Sequence, residues 1–201
     1  MKRNNKKNRR FKTTKLVMLI LLAFLGVVCL LKGIQMVFPI KYIDYVNEYS
    51  DEYNVDKILV LAMIKTESNF NEFATSKKEA KGLMQIMDDT ALWANESIKI
   101  DNFSLDMLYS PRENIQIGTW YLKWLLDKFN DQDLAILAYN AGHGNVSKWL
   151  SDKSLSSDGV KLDNIPFEET NNYLLKVKFN YSVYNFLYGK LGRFTTILNR
   201  G

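Results

Sequence analysis

A single cysteine and a single histidine among 201 residues set the first limits on what this chain can do. Cys29 lies inside an uncharged apolar run, so everything after that run lacks a disulfide, a thiol nucleophile and a cysteine metal ligand. One histidine, His143, excludes a His-x-x-x-His zinc site. Chemistry then falls mostly to carboxylates. Proline is equally scarce, with only Pro39, Pro111 and Pro166, each between periodic segments where it reads as punctuation. Strand-type alternation of useful length is missing, as are internal repeats. Basic surface is missing too, despite a net charge of +5: Lys2, Arg3, Lys6, Lys7, Arg9, Arg10, Lys12 and Lys15 concentrate eight cations in a tail without an acid. The remainder holds 19 basic residues against 22 acidic ones. Nucleic acid is therefore not an expected partner.

The tail precedes Leu16 to Leu31, sixteen residues without a charge, and the apolar character continues past Lys32 to Phe38. As a helix this stretch covers about 24 Å, or about 34 Å with the extension, enough for a hydrocarbon layer of roughly 30 Å if Lys32 snorkels. Three other readings compete. A buried core helix does not need eight cations before it. A cleaved signal usually ends in small residues, whereas Lys32-Gly33-Ile34-Gln35-Met36-Val37 follows here. A lipoprotein signal using Cys29 would want a small residue where Val28 stands. The preferred organisation is a basic cytoplasmic tail (1–15), a transmembrane signal anchor (16–38) and an extracytoplasmic domain (39–201), oriented by the positive-inside rule.

That domain reads as all-α. Tyr42, Tyr45, Val46 and Tyr49 follow a helical step, as do Ile115, Ile117, Trp120, Tyr121, Trp124 and Leu125, and later Tyr173, Leu174, Val177, Tyr181, Tyr184 and Leu187. Ser151 to Asn164, rich in Ser and Asp, reads as a surface loop, and so does Gly142-His143-Gly144.

Candidate chemistry begins at Val55 to Ser68. Ile58 to Ile64 is uniformly apolar, and Glu67 follows one turn beyond Met63 and Ile64. A carboxyl there loses solvation, which raises its pKa as a general acid requires; the plainer alternative is a solvated glutamate at a helix end. Gly82 permits close backbone approach, and Gln85 offers amide donors and an acceptor to a sugar or peptide amide. Tyr139 and Asn140 end the apolar run Leu134 to Ala138, where they either bond substrate or serve as a buried phenol and a cap. His143 reads as a solvated histidine.

Glu67-Ser68, Ser76, the string Gly82-Leu83-Met84-Gln85-Ile86-Met87, then Ala138-Tyr139-Asn140-Ala141-Gly142, stand in an order and spacing that resemble the catalytic domain of lytic transglycosylases, relatives of goose-type lysozyme. The resemblance runs from roughly Lys41 to Tyr188 and includes Ser110 to Ile115, Gly118, Tyr121-Leu122, and Ile165 to Thr170 with Tyr173. It implies a lysozyme-like globular fold and non-hydrolytic cleavage of the β-1,4 bond between N-acetylmuramic acid and N-acetylglucosamine in peptidoglycan glycan strands. Glu67 would be acid and then base, the muramoyl 6-hydroxyl would attack C1 to leave a 1,6-anhydro end, and no metal or organic cofactor is implied. Ser76, Met84, Gln85, Tyr139, Asn140, Glu168 and Tyr173 would bind substrate. A cell-wall or envelope-spanning complex is compatible with such an anchored enzyme. Asn171 replaces the family's frequent Arg, Lys77-Lys78-Glu79 replaces a small, Gly-containing stretch, and Asp88 replaces a frequent Pro. A hydrolytic muramidase and a non-catalytic glycan-binding anchor remain the alternatives.

Overall fold

The computed structural model describes the backbone of residues 2–190 and the side chains of residues 14–189. The chain divides into two compact units, Met1–Pro39 and Ile40–Gly201. The first is one helix, α1 (Lys2–Val37). Its segment Thr14–Val37 reaches a mean hydropathy of 2.7 across an 18-residue stretch, none of it buried, and is 24 residues long. At 1.5 Å per residue that is about 36 Å, sufficient by length and composition to cross a bilayer.

The second unit is built from α2 (Ile43–Tyr53), α3 (Lys57–Glu67), α4 (Asp88–Ile98), a 3₁₀ turn (Leu105–Tyr109), α5 (Pro111–Phe129), α6 (Gln132–Ala141), α7 (His143–Ser151) and α8 (Glu168–Tyr184), followed by a π-helical turn (Asn185–Lys190). Among the described residues there is no strand beyond isolated bridges at Thr75, Lys81 and Ile86. Helix starts carry their expected signals. Asp56 accepts from the Ile58 amide at 2.9 Å to cap α3, Asp131 accepts from the Leu134 amide at 2.9 Å to cap α6, and Pro111 opens α5.

Helix α3 is the centre of the fold. Ile58 through Ile64 are all buried, which an amphipathic surface helix cannot accommodate, so α3 is enclosed by α2 and α8. Asn180 of α8 donates to Thr66 Oγ1 at 2.9 Å, and Tyr181 donates to Asp56 at 2.7 Å, fixing both ends of the α3–α8 contact. Helix α6, with Leu134 to Ala138 buried, packs on α5, α7 and α8. Burying each large aliphatic chain contributes about 1.5–3 kcal/mol before conformational entropy is subtracted.

One sequence expectation changes, and one helix was not foreseen. Gly142-His143-Gly144 is not a loop: Gly142 alone, at φ +86°, turns the chain, and α7 begins at His143. Helix α4, with few apolar residues and only Ala91 and Ala94 buried, is not visible in the periodicity.

Candidate active site

The segment between α3 and α4 forms the floor of a cleft, and its shape depends on buried polar groups. Gly82 sits at φ +74°, where a Cβ would come within 2.1 Å of the Leu108 carbonyl oxygen and 2.3 Å of the Asn114 side chain. Only glycine fits there. Asn114, fully buried on α5, donates to the carbonyls of Lys81 (2.9 Å) and Leu108 (2.7 Å) and accepts from the Met84 amide (2.7 Å). Ser68 Oγ donates to the Leu83 carbonyl at 2.8 Å and so ties the end of α3 to the same segment. Gln85 adopts φ +50°, unusual for a residue with a side chain, and its Nε2 donates to the carbonyls of Ala74 (3.1 Å) and Gly82 (3.0 Å). Both amide hydrogens are thus engaged internally, and Gln85 offers the cleft its carbonyl oxygen.

Glu67 is the last residue of α3 and lies in the wall of a cavity of about 380 Å³, a size typical of ligand clefts. Ser76, Lys77, Lys78 and Gln85 line it from the α3–α4 segment, Tyr139 and Asn140 from α6, and Glu169 from α8. Tyr173, buried on α8, donates to Glu67 Oε1 at 2.5 Å. Among the described residues Oε2 has no protein donor. Burial pushes the Glu67 carboxyl up to about 7, and the Tyr173 hydrogen bond, which favours the ionised form, holds it below where burial alone would place it. Tyr139 donates to the Met84 carbonyl at 2.9 Å. Burial, with the Glu67 charge adding to it, holds both phenols well above the ordinary tyrosine range, so each remains a hydrogen-bond donor at neutral pH.

Most of the residues singled out in the sequence converge here, and the side chains of Met84 and Glu168 do not line the cavity. Met84 does not present its side chain to the cleft: it is fully buried, and its Sδ lies 2.4 Å from where a Cβ on Gly118 would stand, so it contributes its backbone carbonyl to Tyr139 instead. Glu168 is exposed and outside the cleft, whereas Glu169 lines it, because successive residues at the start of α8 face directions about 100° apart. Asn114, Glu169, Lys77 and Lys78 received no role from the sequence. Asn114 entered the sequence reading only within the matched run Ser110 to Ile115.

Beyond Tyr139 the aromatic surface continues. Tyr121 packs on Tyr139 (5.3 Å), and Trp93 meets Trp120 (5.0 Å) and Trp124 (4.9 Å) edge to face. His143, exposed, lies against Trp124 at 5.0 Å. No group of three or more His, Cys, Asp or Glu side chains converges among the described residues in a way that could hold a metal ion.

An all-α domain with one desolvated glutamate at the end of a buried helix and an amide- and phenol-lined cleft is the lysozyme-like class. Residues 44–159 match the family model of the transglycosylase SLT domain, and the chain belongs to that family. It is 34% identical over 155 residues to the soluble lytic murein transglycosylase of Escherichia coli K12, covering 76% of this chain and 24% of that protein. Identity to the membrane-bound lytic murein transglycosylase C of Edwardsiella ictaluri is 38% over 122 residues, 55% of this chain and 34% of that one. The crystal structure of the 70-kDa soluble lytic transglycosylase of Escherichia coli superposes with a TM-score of 0.68 at 29% identity, over 77% of this chain and 26% of that one. A complex of the 70-kDa soluble enzyme with bulgecin A gives a TM-score of 0.69. The chain spans between about a quarter and a third of the length of these relatives.

Proposed function

We propose that this chain is a peptidoglycan lytic transglycosylase that cleaves the MurNAc-β-1,4-GlcNAc bond without water. The observation carrying the proposal is the Glu67 carboxyl, raised to about 7 by burial, hydrogen-bonded at 2.5 Å by Tyr173, and facing a cleft of about 380 Å³. Near neutral pH a substantial fraction of Glu67 holds a proton to give. That proton goes to the glycosidic oxygen as the C1–O bond breaks. The carboxylate, stabilised by the Tyr173 hydroxyl, then takes the proton of the muramoyl 6-hydroxyl as its oxygen bonds C1. One carboxyl returns to its starting state, and no water is consumed. Ser76, with its Oγ accepting the amides of Lys78 and Ala80, retains a hydroxyl hydrogen for substrate, while Gln85 Oε1 and the exposed Asn140 are placed to orient saccharide amides and hydroxyls.

A hydrolytic muramidase is the second reading, supported by Glu169, a second carboxylate in the cleft. Mass spectrometry of digested peptidoglycan separates the two by anhydro or reducing ends. For organisation, we propose residues 1–15 as a cytoplasmic tail, 16–38 as a membrane anchor and 39–201 as the extracytoplasmic catalytic domain. The single helix long and apolar enough to span among the described residues, behind eight cations, supports this.

A further inference from the structure

We propose that Lys77 and Lys78 form a carboxylate-reading subsite at the edge of the Glu67 cleft, which recognises an anionic group carried by the muramoyl unit. The inference rests on the proposed glycan-cleaving function and adds a determinant of substrate choice to it.

Both lysines line the same cavity as Glu67, yet both are exposed, and neither makes an ion pair among the described residues. Their backbone is fixed. The Ser76 amide donates to the Ala80 carbonyl at 2.9 Å, the Glu79 amide donates to the Ser76 carbonyl at 3.0 Å, and Ser76 Oγ accepts the amides of Lys78 (3.2 Å) and Ala80 (3.0 Å). Glu79, at φ +65°, completes the turn. Two adjacent lysines are therefore anchored through their backbone at one edge of the cleft, where two positive charges favour a bound anion. Glu169, the second carboxylate of the cavity and an exposed one, approaches neither lysine within ion-pair distance, so it does not neutralise them. The alternative, a turn whose lysines only confer solubility, predicts no effect on substrate affinity.

The chemistry of the glycan supplies such an anion at one sugar in two. Each muramoyl unit bears a lactyl group, which ends in a free carboxylate where the peptide has been removed. Where the peptide remains, the lactyl carbonyl is an amide and the carboxylates belong to the stem. An ammonium pair suits either, because lysine acts as a point charge on a flexible stem and does not demand bidentate geometry.

The test uses the full chain in detergent micelles with K77Q/K78Q and K77R/K78R, on soluble glycan strands that retain their peptides and on strands stripped by an amidase. Each substrate is also prepared with its carboxylates converted to methylamides. The expected result is a rise in KM of about three- to tenfold for the Gln pair, a smaller change in kcat, near-wild-type KM for the Arg pair, and no difference between variants on methylamidated substrate. An effect confined to stripped strands identifies the lactyl carboxylate; one confined to peptide-bearing strands identifies the stem. Unchanged KM on both substrates overturns the proposal, as does a rise that persists after the carboxylates are neutralised. Should the wild-type chain produce no cleavage, the catalytic reading fails instead, and the same comparison made by strand co-sedimentation still decides the role of the lysines.

Discussion

Replacing Glu67 by glutamine keeps the shape of the side chain and removes its titration, so stability and activity should move in opposite directions. In the folded protein the carboxyl titrates at about 7 instead of its ordinary 4.5, chiefly because burial penalises its charge. Below pH 4.5 the folded and unfolded states are both protonated and the site costs nothing. Between 4.5 and 7 the unfolded chain releases this proton while the folded chain retains it, so stability falls as pH rises. Above 7 the loss reaches a plateau of about 3 kcal/mol, since each pH unit across that interval costs about 1.36 kcal/mol. Glu67→Gln should therefore differ little from the parent at pH 4 and be more stable at pH 8 by about 3 kcal/mol, or roughly 6–12 °C in Tm. Cleavage should fall by at least about 10²–10⁴-fold. Urea unfolding of residues 40–201 carrying either side chain, at pH 4, 6 and 8, measures the difference. A stability difference independent of pH would refute the desolvated-acid argument, and activity within a few-fold of wild type would remove Glu67 from the mechanism.

Tyr173→Phe removes the hydrogen bond that opposes burial, so the Glu67 pKa should move further up; the basic limb of the pH–kcat/KM profile then shifts to higher pH while kcat falls about tenfold. Asn114→Ala leaves the Met84 amide and the Lys81 and Leu108 carbonyls without their partner, and should destabilise the domain by about 3 kcal/mol or more, measured by thermal unfolding. Residues 40–201 expressed alone should be soluble and folded without detergent, checked by circular dichroism and gel filtration. Protease added to wall-stripped cells should digest the domain and leave a short membrane-bound fragment containing Leu16 to Leu31; a protected full-length chain would contradict the proposed orientation.

The helices that carry the cleft are legible in the sequence because their apolar runs are long. Ile58 to Ile64 and Leu134 to Ala138 are uniform enough that burial is the only physical option, and the residues just beyond them, Glu67 and Tyr139, consequently stand out as side chains at a core boundary. What stays hidden depends on tertiary neighbours. Nothing in the local pattern around Asn114 reports three hydrogen bonds to backbone more than one turn away, and nothing around Met84 reports that Gly118 leaves space for its sulfur. Gln85 reads as a free amide because its internal acceptors, the carbonyls of Ala74 and Gly82, become neighbours only when the α3–α4 segment folds back. Choosing between Glu168 and Glu169 requires the phase of α8, which a single-residue error reverses. Lys77 and Lys78 look like ordinary solvated charges until the Ser76 turn sets them at the edge of the cleft that Glu67 lines.

The central claim is that one carboxyl, Glu67, cleaves the glycan by using the sugar's own hydroxyl in place of water. Digestion of purified peptidoglycan in ¹⁸O-labelled water, followed by mass spectrometry of the fragments, tests it most directly. The account predicts 1,6-anhydro-muramoyl ends with no ¹⁸O incorporated; reducing muramoyl ends carrying ¹⁸O would contradict it and establish hydrolysis.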